Sequence, residues 1–499
     1  MIENFIIGAN VFFTPMGISM VFLGVTIGIV FGVIPGLTAT MAIALLLPVT
    51  HAMAPIAGMI LLVGIYVGGM AGILVPAILI NIPGSPASVA TCFDGYPLAQ
   101  KGQSVKALGL GLICSAIGTI FATLVLIALA PFLARIAIMF GNYEYFAVAL
   151  FSLTMISGLA GKSLIKGLMS GLFGAMFATV GLEHVGNVVR FTFGVPQLLM
   201  GFDILPVLIG LFAVSVIIET TVNVKTETKL EVIDIDLKNA KGFGFSMKEF
   251  WGQRINLLRS AVIGTGIGIL PGIGGATANM LAYSVAKNQS KYPEKFGTGV
   301  IDGIVAPETS NSATVGTAFV PMLALGIPAD TVTAMLLGGL IMKGITPGPL
   351  MFIQHVDLVY AIFITLIVAC FVMVLVQFYG IRVFAALLRV PKHYLLPAVF
   401  LFCIIGSFGI RTNVFDIWAV LFFGIVAFVM SKGGIPLPPF ILGFILGPIM
   451  EINLIRGMML AQGNFLMFFT EPIAVFFFAA TAVSLVFAIR RQIINLKQG

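Results

Sequence analysis

Residues 264–280 read GTGIGILPGIGGATANM, and residues 307–328 read PETSNSATVGTAFVPMLALGIP. From Gly264 to Pro328 the chain sets Gly, Pro, Asn, Thr and acids inside otherwise apolar sequence. Helix breakers and polar groups at membrane depth are tolerated only where the freed backbone is buried in protein or lines a cavity. This stretch is therefore where a functional site is expected, with the remaining chain as its support.

Composition supplies the membrane. The 499 residues are 59% hydrophobic and 9% charged, with a mean hydropathy of +1.13, whereas soluble proteins are about 45–50% apolar and about 25% charged. Apolar runs of roughly 15–30 residues without strand-like alternation favour helices over a barrel. Only about Val222 to Arg254 looks solvated. The net charge of +7 reads as a record of topology rather than of an anionic partner, and no nucleic acid is expected. Cys92, Cys114, Cys370 and Cys403 sit singly in apolar surroundings and read as packing residues. The N-terminus MIENFIIGANVFF carries an acid and no basic region or cleavage signal, so no signal peptide is expected.

The stretch has an earlier counterpart. Laying residue 35 over 271, a shift of 236, superposes Gly28, Gly32, Pro35 and Gly36 on Gly264, Gly268, Pro271 and Gly272. Laying Val75 over Val320, a shift of 245, superposes VPAILINIP on VPMLALGIP. Weaker matches pair EYFAVALFSL at Glu144 with HYLLPAVFLF at His393, and LPVLIGLF at Leu205 with LPPFILGF at Leu437. The chain is an internal duplication with copies of about 200 residues.

Basic residues orient the copies. No Lys or Arg precedes Lys101, which puts the N-terminus and the His51 loop outside and folds 16–49 into a broken hairpin. In the second copy Lys248, Arg254 and Arg259 precede the break and Lys287, Lys291 and Lys295 follow it, so that hairpin opens inward. Basic clusters at Lys101/Lys106, Lys162/Lys166, Lys225–Arg259, Arg382–Lys392, Lys432 and Arg490/Arg491 fall inside. The single residues Arg135, Arg190, Lys343, Arg411 and Arg456 fall outside. The expectation is an all-α polytopic protein with about 11–12 transmembrane helices in two inverted repeats. Its parts are 1–221 (hairpin 16–49 plus about five spans), a cytoplasmic linker 222–256, 257–455 (hairpin 257–286 plus about five spans), and a closing helix with cytoplasmic C-terminus, 456–499. The linker segment FGFSMKEFW reads as plain linker or as an interfacial amphipathic segment.

Three constellations carry chemistry. A Pro-Gly break exposes backbone N–H groups at the start of the next half-helix, where the macrodipole is positive and Gly admits a ligand. Pro35, Gly36, Thr38 and Thr40, with Pro271, Gly272, Gly274, Gly275, Thr277 and Asn279, are thus candidate carboxylate ligands; packed kinks are the alternative. The second pair is NIPGSPAS, with Asn81, Ser85 and Ser88, and GIPADT, with Asp330 and Thr331 and then Thr333. Pro frees carbonyls that suit a hard cation, whereas Asp and Ser are also strong helix caps. Third, Glu308, Thr309, Ser310, Asn311 and Ser312 form a polar run with Asp302 upstream. At membrane depth Glu308 would be a proton or cation ligand; at the surface the run would be a loop. Unwound carbonyls beside Asn81, Asn311 and Asp330, with Thr331, are expected to bind the coupling ion, and Ser85 and Ser88 to join the substrate ligands. His51, His184, His355 and His393 lack metal-ligand spacing, and LAGKSLIKG lacks the upstream Gly of a P-loop. No nucleophile, base and oxyanion arrangement stands out, so no enzyme and no cofactor beyond a coupling ion, Na+ or H+, is expected.

GVIPGLT, NIPGSPAS followed by DGYPLAQKG, GILPGIGG, PETSNSA and LGIPADTVTAMLLGGLIMKGITPGP together resemble the large membrane subunit (TctA type) of the tripartite tricarboxylate transporters, over almost the whole chain. PETSNSA departs from the family's pattern at Thr309 and Ser310. The resemblance implies a bacterial inner-membrane secondary transporter, for which the outside placement of the N-terminus read from the basic residues means periplasmic. It also implies a small membrane subunit (TctB type), a periplasmic solute-binding protein (TctC type), an organic carboxylate such as citrate, and a cation gradient. A binding-protein-independent anion transporter or channel is the alternative.

Overall fold

The computed structural model describes residues 2–498 except 138, 160–162, 184, 187, 223–232, 234–241, 349, 389 and 391. Most of the expected linker therefore lies outside the described residues. The first repeat comprises α1 (Ile2–Phe12), α2 (Pro15–Val33), α3 (Ala39–His51), α4 (Pro55–Gly72), α5 (Leu74–Leu79), α6 (Val89–Leu98) and α7 (Ser104–Ala137). It continues through α8 (Asn142–Leu159), α9 (Leu164–Ala178), α10 (Ile204–Ile209) and α11 (Ser215–Val222). After α12 (Met247–Gly252) the second repeat begins with α13 (Arg254–Gly268), α14 (Gly274–Gln289), α15 (Asp302–Thr317), α16 (Phe319–Leu325) and α17 (Thr331–Met342). Then come α18 (Met351–Gln354), α19 (Val356–Tyr379), α20 (Ile381–Leu387), α21 (Lys392–Arg411), α22 (Val414–Lys432), α23 (Leu437–Leu460) and α24 (Pro472–Gln498).

Among the described residues, eight helices are long and apolar enough to cross a membrane, fewer than the eleven to twelve spans expected from charge. The difference has a local cause. Pro and Gly cut spans into half-length helices such as α3 and α17, and α15 trades apolar residues for Thr, Ser and Asn. Each Pro-Gly break becomes a turn between two helices: Gly36 takes φ 95°, and Gly272 and Gly274 take 85° and 65°. That left-handed backbone is open to Gly at little cost.

The hairpins pack alike. Gly24, Gly28 and Gly32 of α2 lie on the backbone of α4, and Gly264 and Gly268 of α13 lie on α15. A side chain at any of the five would collide with main chain or a buried Thr, so the glycine rows are set by close helix approach. Beyond the hairpins the repeats interleave. α9 packs on α23 through Gly171, Gly174 and Gly443, while Gly210, next after α10, meets α22 at Val420 and Gly424. The serial repeats of the sequence are thus not separate bodies in space.

Polar contacts define two rims. At one, the Lys343 ammonium donates to the carbonyls of Thr50, His51 (2.9 Å) and Met53 (2.5 Å), capping the negative end of α3. At the other, the Asp94 carboxylate of α6 holds the α14–α15 linker. Lys101 donates to the Thr298 carbonyl of the same linker at 2.6 Å, and Lys106 pairs with Glu249 at 2.5 Å, holding that carboxyl below its usual range. Lys166 donates to Gly433 at 2.7 Å, Arg190 pairs with Glu451 and Arg411 with Asp203. Each contact joins segments that the charge pattern assigned to one side. α4 starts beside Lys343 and α15 starts beside Asp94, so the two equivalent helices run in opposite directions. The linker's FGFSMKEFW end is docked: the ring of Phe243 lies 4.2 Å from that of Phe378, tilted by 49°, while Trp251 is exposed.

Candidate functional site

The polar run of the second repeat is helical and deep. Glu308, Thr309, Ser310 and Asn311 are 0% exposed and Ser312 is 2% exposed, within α15. A surface loop is therefore not what PETSNSA forms. Its side chains are drawn inward because small-residue helices surround them. Ser310 Oγ donates to Ala278 O of α14 at 3.1 Å, Thr119 Oγ1 of α7 donates to Ser312 O at 3.0 Å, and the hydroxyls of Ser115 and Ser312 are bonded.

Two clusters join the repeats. In the first, the Thr91 hydroxyl of α6 donates to Glu308 Oε1, while Glu308 Oε2 is buried without a partner. Asn279 of α14 accepts from the Ala90 backbone N–H at 2.9 Å and reaches Thr91 Oγ1 at 3.4 Å. The broken helix of the first repeat, the hairpin of the second and Glu308 thus share one buried network. Such a network is stringent, because every unpaired group inside it is costly.

The second cluster surrounds the break of the second repeat. Asp330 caps α17: Oδ1 accepts from Thr333 N at 2.7 Å and from Thr333 Oγ1 at 2.8 Å. Its Oδ2 accepts from the hydroxyl of Tyr66, a fully buried residue of α4, at 2.5 Å. Thr331 Oγ1 lies 3.2 Å from Thr40 Oγ1 of α3, and Gly272 N donates to Ala329 O at 2.8 Å. Ser85, the counterpart of Asp330 at the 245 shift, is also a cap, accepting from Ala87 N at 3.2 Å, and Ser88 Oγ donates to Ser85 O at 3.1 Å.

These positions correct several expectations. Asp330 and Ser85 serve as helix caps with their oxygens engaged, because a chain restarting a helix after Pro needs its first N–H groups satisfied. Asn311 lies in mid-helix, not beside unwound backbone. Asn81 is exposed at φ 55°, and the Leu79 carbonyl freed at that break accepts from Ile233 N at 3.2 Å. Thr38 caps its own α3, accepting from Met41 N at 3.2 Å. Thr277 is exposed, 3.4 Å from Ile273 O. Pro35 and Pro271 are buried in their turns. The cross-repeat contacts run from each hairpin's second arm to the other repeat's broken helix.

Sequence reading missed Tyr66, Thr91 and Asp94. Asp94 carried a usable signal, a lone acid in an apolar helix. Tyr66 and Thr91 carried none, since their partners lie 264 and 217 residues away. Replacing Tyr66 with Phe removes only the hydroxyl and leaves Asp330 Oδ2 unpaired. We expect a loss of thermal stability of about 1–3 kcal/mol, read as a shortened inactivation half-life in detergent, with near-normal expression.

Broken helices packed against one another around buried polar groups, with eight helices among the described residues long and apolar enough to span a bilayer, define an all-α polytopic membrane protein. Residues 18–442 match the tripartite tricarboxylate transporter TctA family, and the chain belongs to that family. It is 36% identical over 489 residues, covering 98% of this chain and 96% of the relative, to a 52.8 kDa protein of Agrobacterium vitis described by its place in the TAR-I ttuC' 3' region. It is 38% identical over 211 residues, 42% of this chain and 87% of the relative, to an Agrobacterium vitis protein of the TAR-II ttuC' 3' region. No solved structure matches the chain.

Proposed function

We propose that this chain is the large permease subunit of a binding-protein-dependent system that imports tricarboxylate or other organic carboxylate anions, coupled to a Na+ or H+ gradient. A TctB-type small membrane subunit and a TctC-type periplasmic binding protein are its partners. The chain lies in the bacterial inner membrane with N-terminus periplasmic and C-terminus cytoplasmic. The observation that carries this reading, beyond family membership, is the Glu308 network. A carboxylate with one free oxygen is buried where both repeats meet, and an intramembrane acid held between two moving parts suits a coupling ion.

In this reading the substrate carboxylate meets the uncapped helix N-terminus of the second hairpin, at the start of α14, where N–H groups and macrodipole oppose its charge. The cation or proton meets Glu308. Its binding changes the charge inside the Thr91–Asn279–Glu308 network and so biases how α6 sits against α14 and α15. Uptake of labelled citrate and succinate into proteoliposomes, with and without the binding protein, tests the reading. Saturable flux that needs both the cation gradient and the binding protein is expected. Conductance that proceeds without either would place the chain among channels.

A further inference from the structure

The hairpins present unequal helix starts. At α3 the first-turn N–H of Met41 is already taken by Thr38 Oγ1. At α14, sixteen residues long, no side chain caps the start, and its first two residues are Gly274 and Gly275. Beside this turn lies the Asn311 carboxamide, 0% exposed, with neither Nδ2 nor Oδ1 hydrogen-bonded. A methyl at Gly275 would strike Asn311 Oδ1 and stand 3.4 Å from its Cγ. The amide is therefore laid against the first turn of the helix, and the missing Gly side chain is what leaves it room.

A buried amide with all its hydrogen-bonding capacity unused is unfavourable in the resting chain and calls for a partner. Resting on the carboxylate-transport reading, we infer that the first turn of α14 and the Asn311 carboxamide form one carboxylate subsite, in which the amide turns Nδ2–H toward the ligand in place of Oδ1 and donates, with the first-turn backbone N–H groups, to the same anionic group. The capped start of α3 takes no part. Asp330 stands near the turn, its Cβ 3.8 Å from where a Gly274 methyl would be. Both its oxygens accept hydrogen bonds, from Thr333 and from Tyr66, so neither is left to take a cation at the turn. Helix dipole and amide donors together favour an anion over a cation here.

The test uses the purified full chain in detergent, with citrate, succinate, sodium sulfate and sodium chloride as probes and melting temperature as readout. Wild-type protein is expected to be protected by citrate or succinate more than by sulfate or chloride at equal sodium. Asn311→Leu is expected to raise the half-protecting carboxylate concentration at least tenfold while leaving the ligand-free melting temperature unchanged or higher, since it removes an unsatisfied amide. Asn311→Asp is expected to abolish protection by placing like charge against the ligand. Unchanged carboxylate protection in Asn311→Leu overturns the subsite and leaves the transport reading standing. Protection lost for sodium chloride alone makes it a cation site and overturns the inference, as does sulfate protection equal to that of the carboxylates. A wild-type chain that no carboxylate protects, and that takes none up in proteoliposomes with its TctB-type and TctC-type partners present, removes the transport reading and the subsite together.

Discussion

Replacing Asp94 with Ala is expected to strip most of the folded protein from the membrane. Asp94 is fully buried, and Oδ1 accepts from the backbone N–H groups of Gly297 (2.9 Å), Gly299 (2.8 Å) and Val300 (3.0 Å). Oδ2 accepts from the Tyr283 hydroxyl at 3.0 Å. A carboxylate with four donors is satisfied without a cation, and removing it orphans four donors at once. Each lost hydrogen bond to a charged group costs about 1.5–3 kcal/mol, so even with partial rehydration the sum is on the order of 4 kcal/mol.

The position of the loss matters as much as its size. Asp94 belongs to the broken helix of the first repeat and holds the linker that follows the hairpin of the second. Lys343 is its mirror image, holding three carbonyls after the hairpin of the first repeat from the broken helix of the second. One clamp is an anion on N–H groups and the other a cation on carbonyls, at opposite rims. Thermal-inactivation half-life of solubilised Asp94→Ala, with Asp94→Asn intermediate because its amide oxygen still accepts, checks the expectation. A half-life equal to wild type would show that water replaces the carboxylate at no cost.

Glu308→Gln is expected to behave in the opposite way, keeping the fold and losing function. The amide keeps the shape and can still accept from Thr91, so expression and melting temperature change little. What it loses is the capacity to exchange a proton or to hold a cation by charge. Uphill, gradient-driven uptake should fall at least tenfold. Exchange of internal for external substrate, which needs no net movement of the coupling ion, should survive. Assaying both in the same proteoliposomes separates coupling from general damage. Normal accumulation in Glu308→Gln would remove Glu308 from coupling, and equal loss of both activities would make it a structural residue.

The chain announces its environment and duplication openly, because hydropathy, Pro-Gly breaks and basic residues are local properties of sequence. Composition alone requires a membrane, the 236 and 245 shifts pair the two sets of Pro-Gly breaks, and the basic clusters sort the loops into two rims that the contacts respect. The residues of the breaks were legible for the same reason, and so was the polar run at Glu308.

What the breaks do was decided by tertiary structure. Asp330 and Ser85 read equally as ion ligands or caps until the restart of each helix placed a backbone N–H against each. PETSNSA read as a surface loop or a buried run until α7, α13 and α14 enclosed it. Above all, sequence order presents one repeat after the other, whereas packing exchanges them: Thr91 serves Glu308, Tyr66 serves Asp330, Asp94 and Lys343 each hold the other repeat. Those pairings join residues hundreds of positions apart, and no local pattern encodes them. They follow from the need of every buried polar group for a partner, which only the assembled fold supplies.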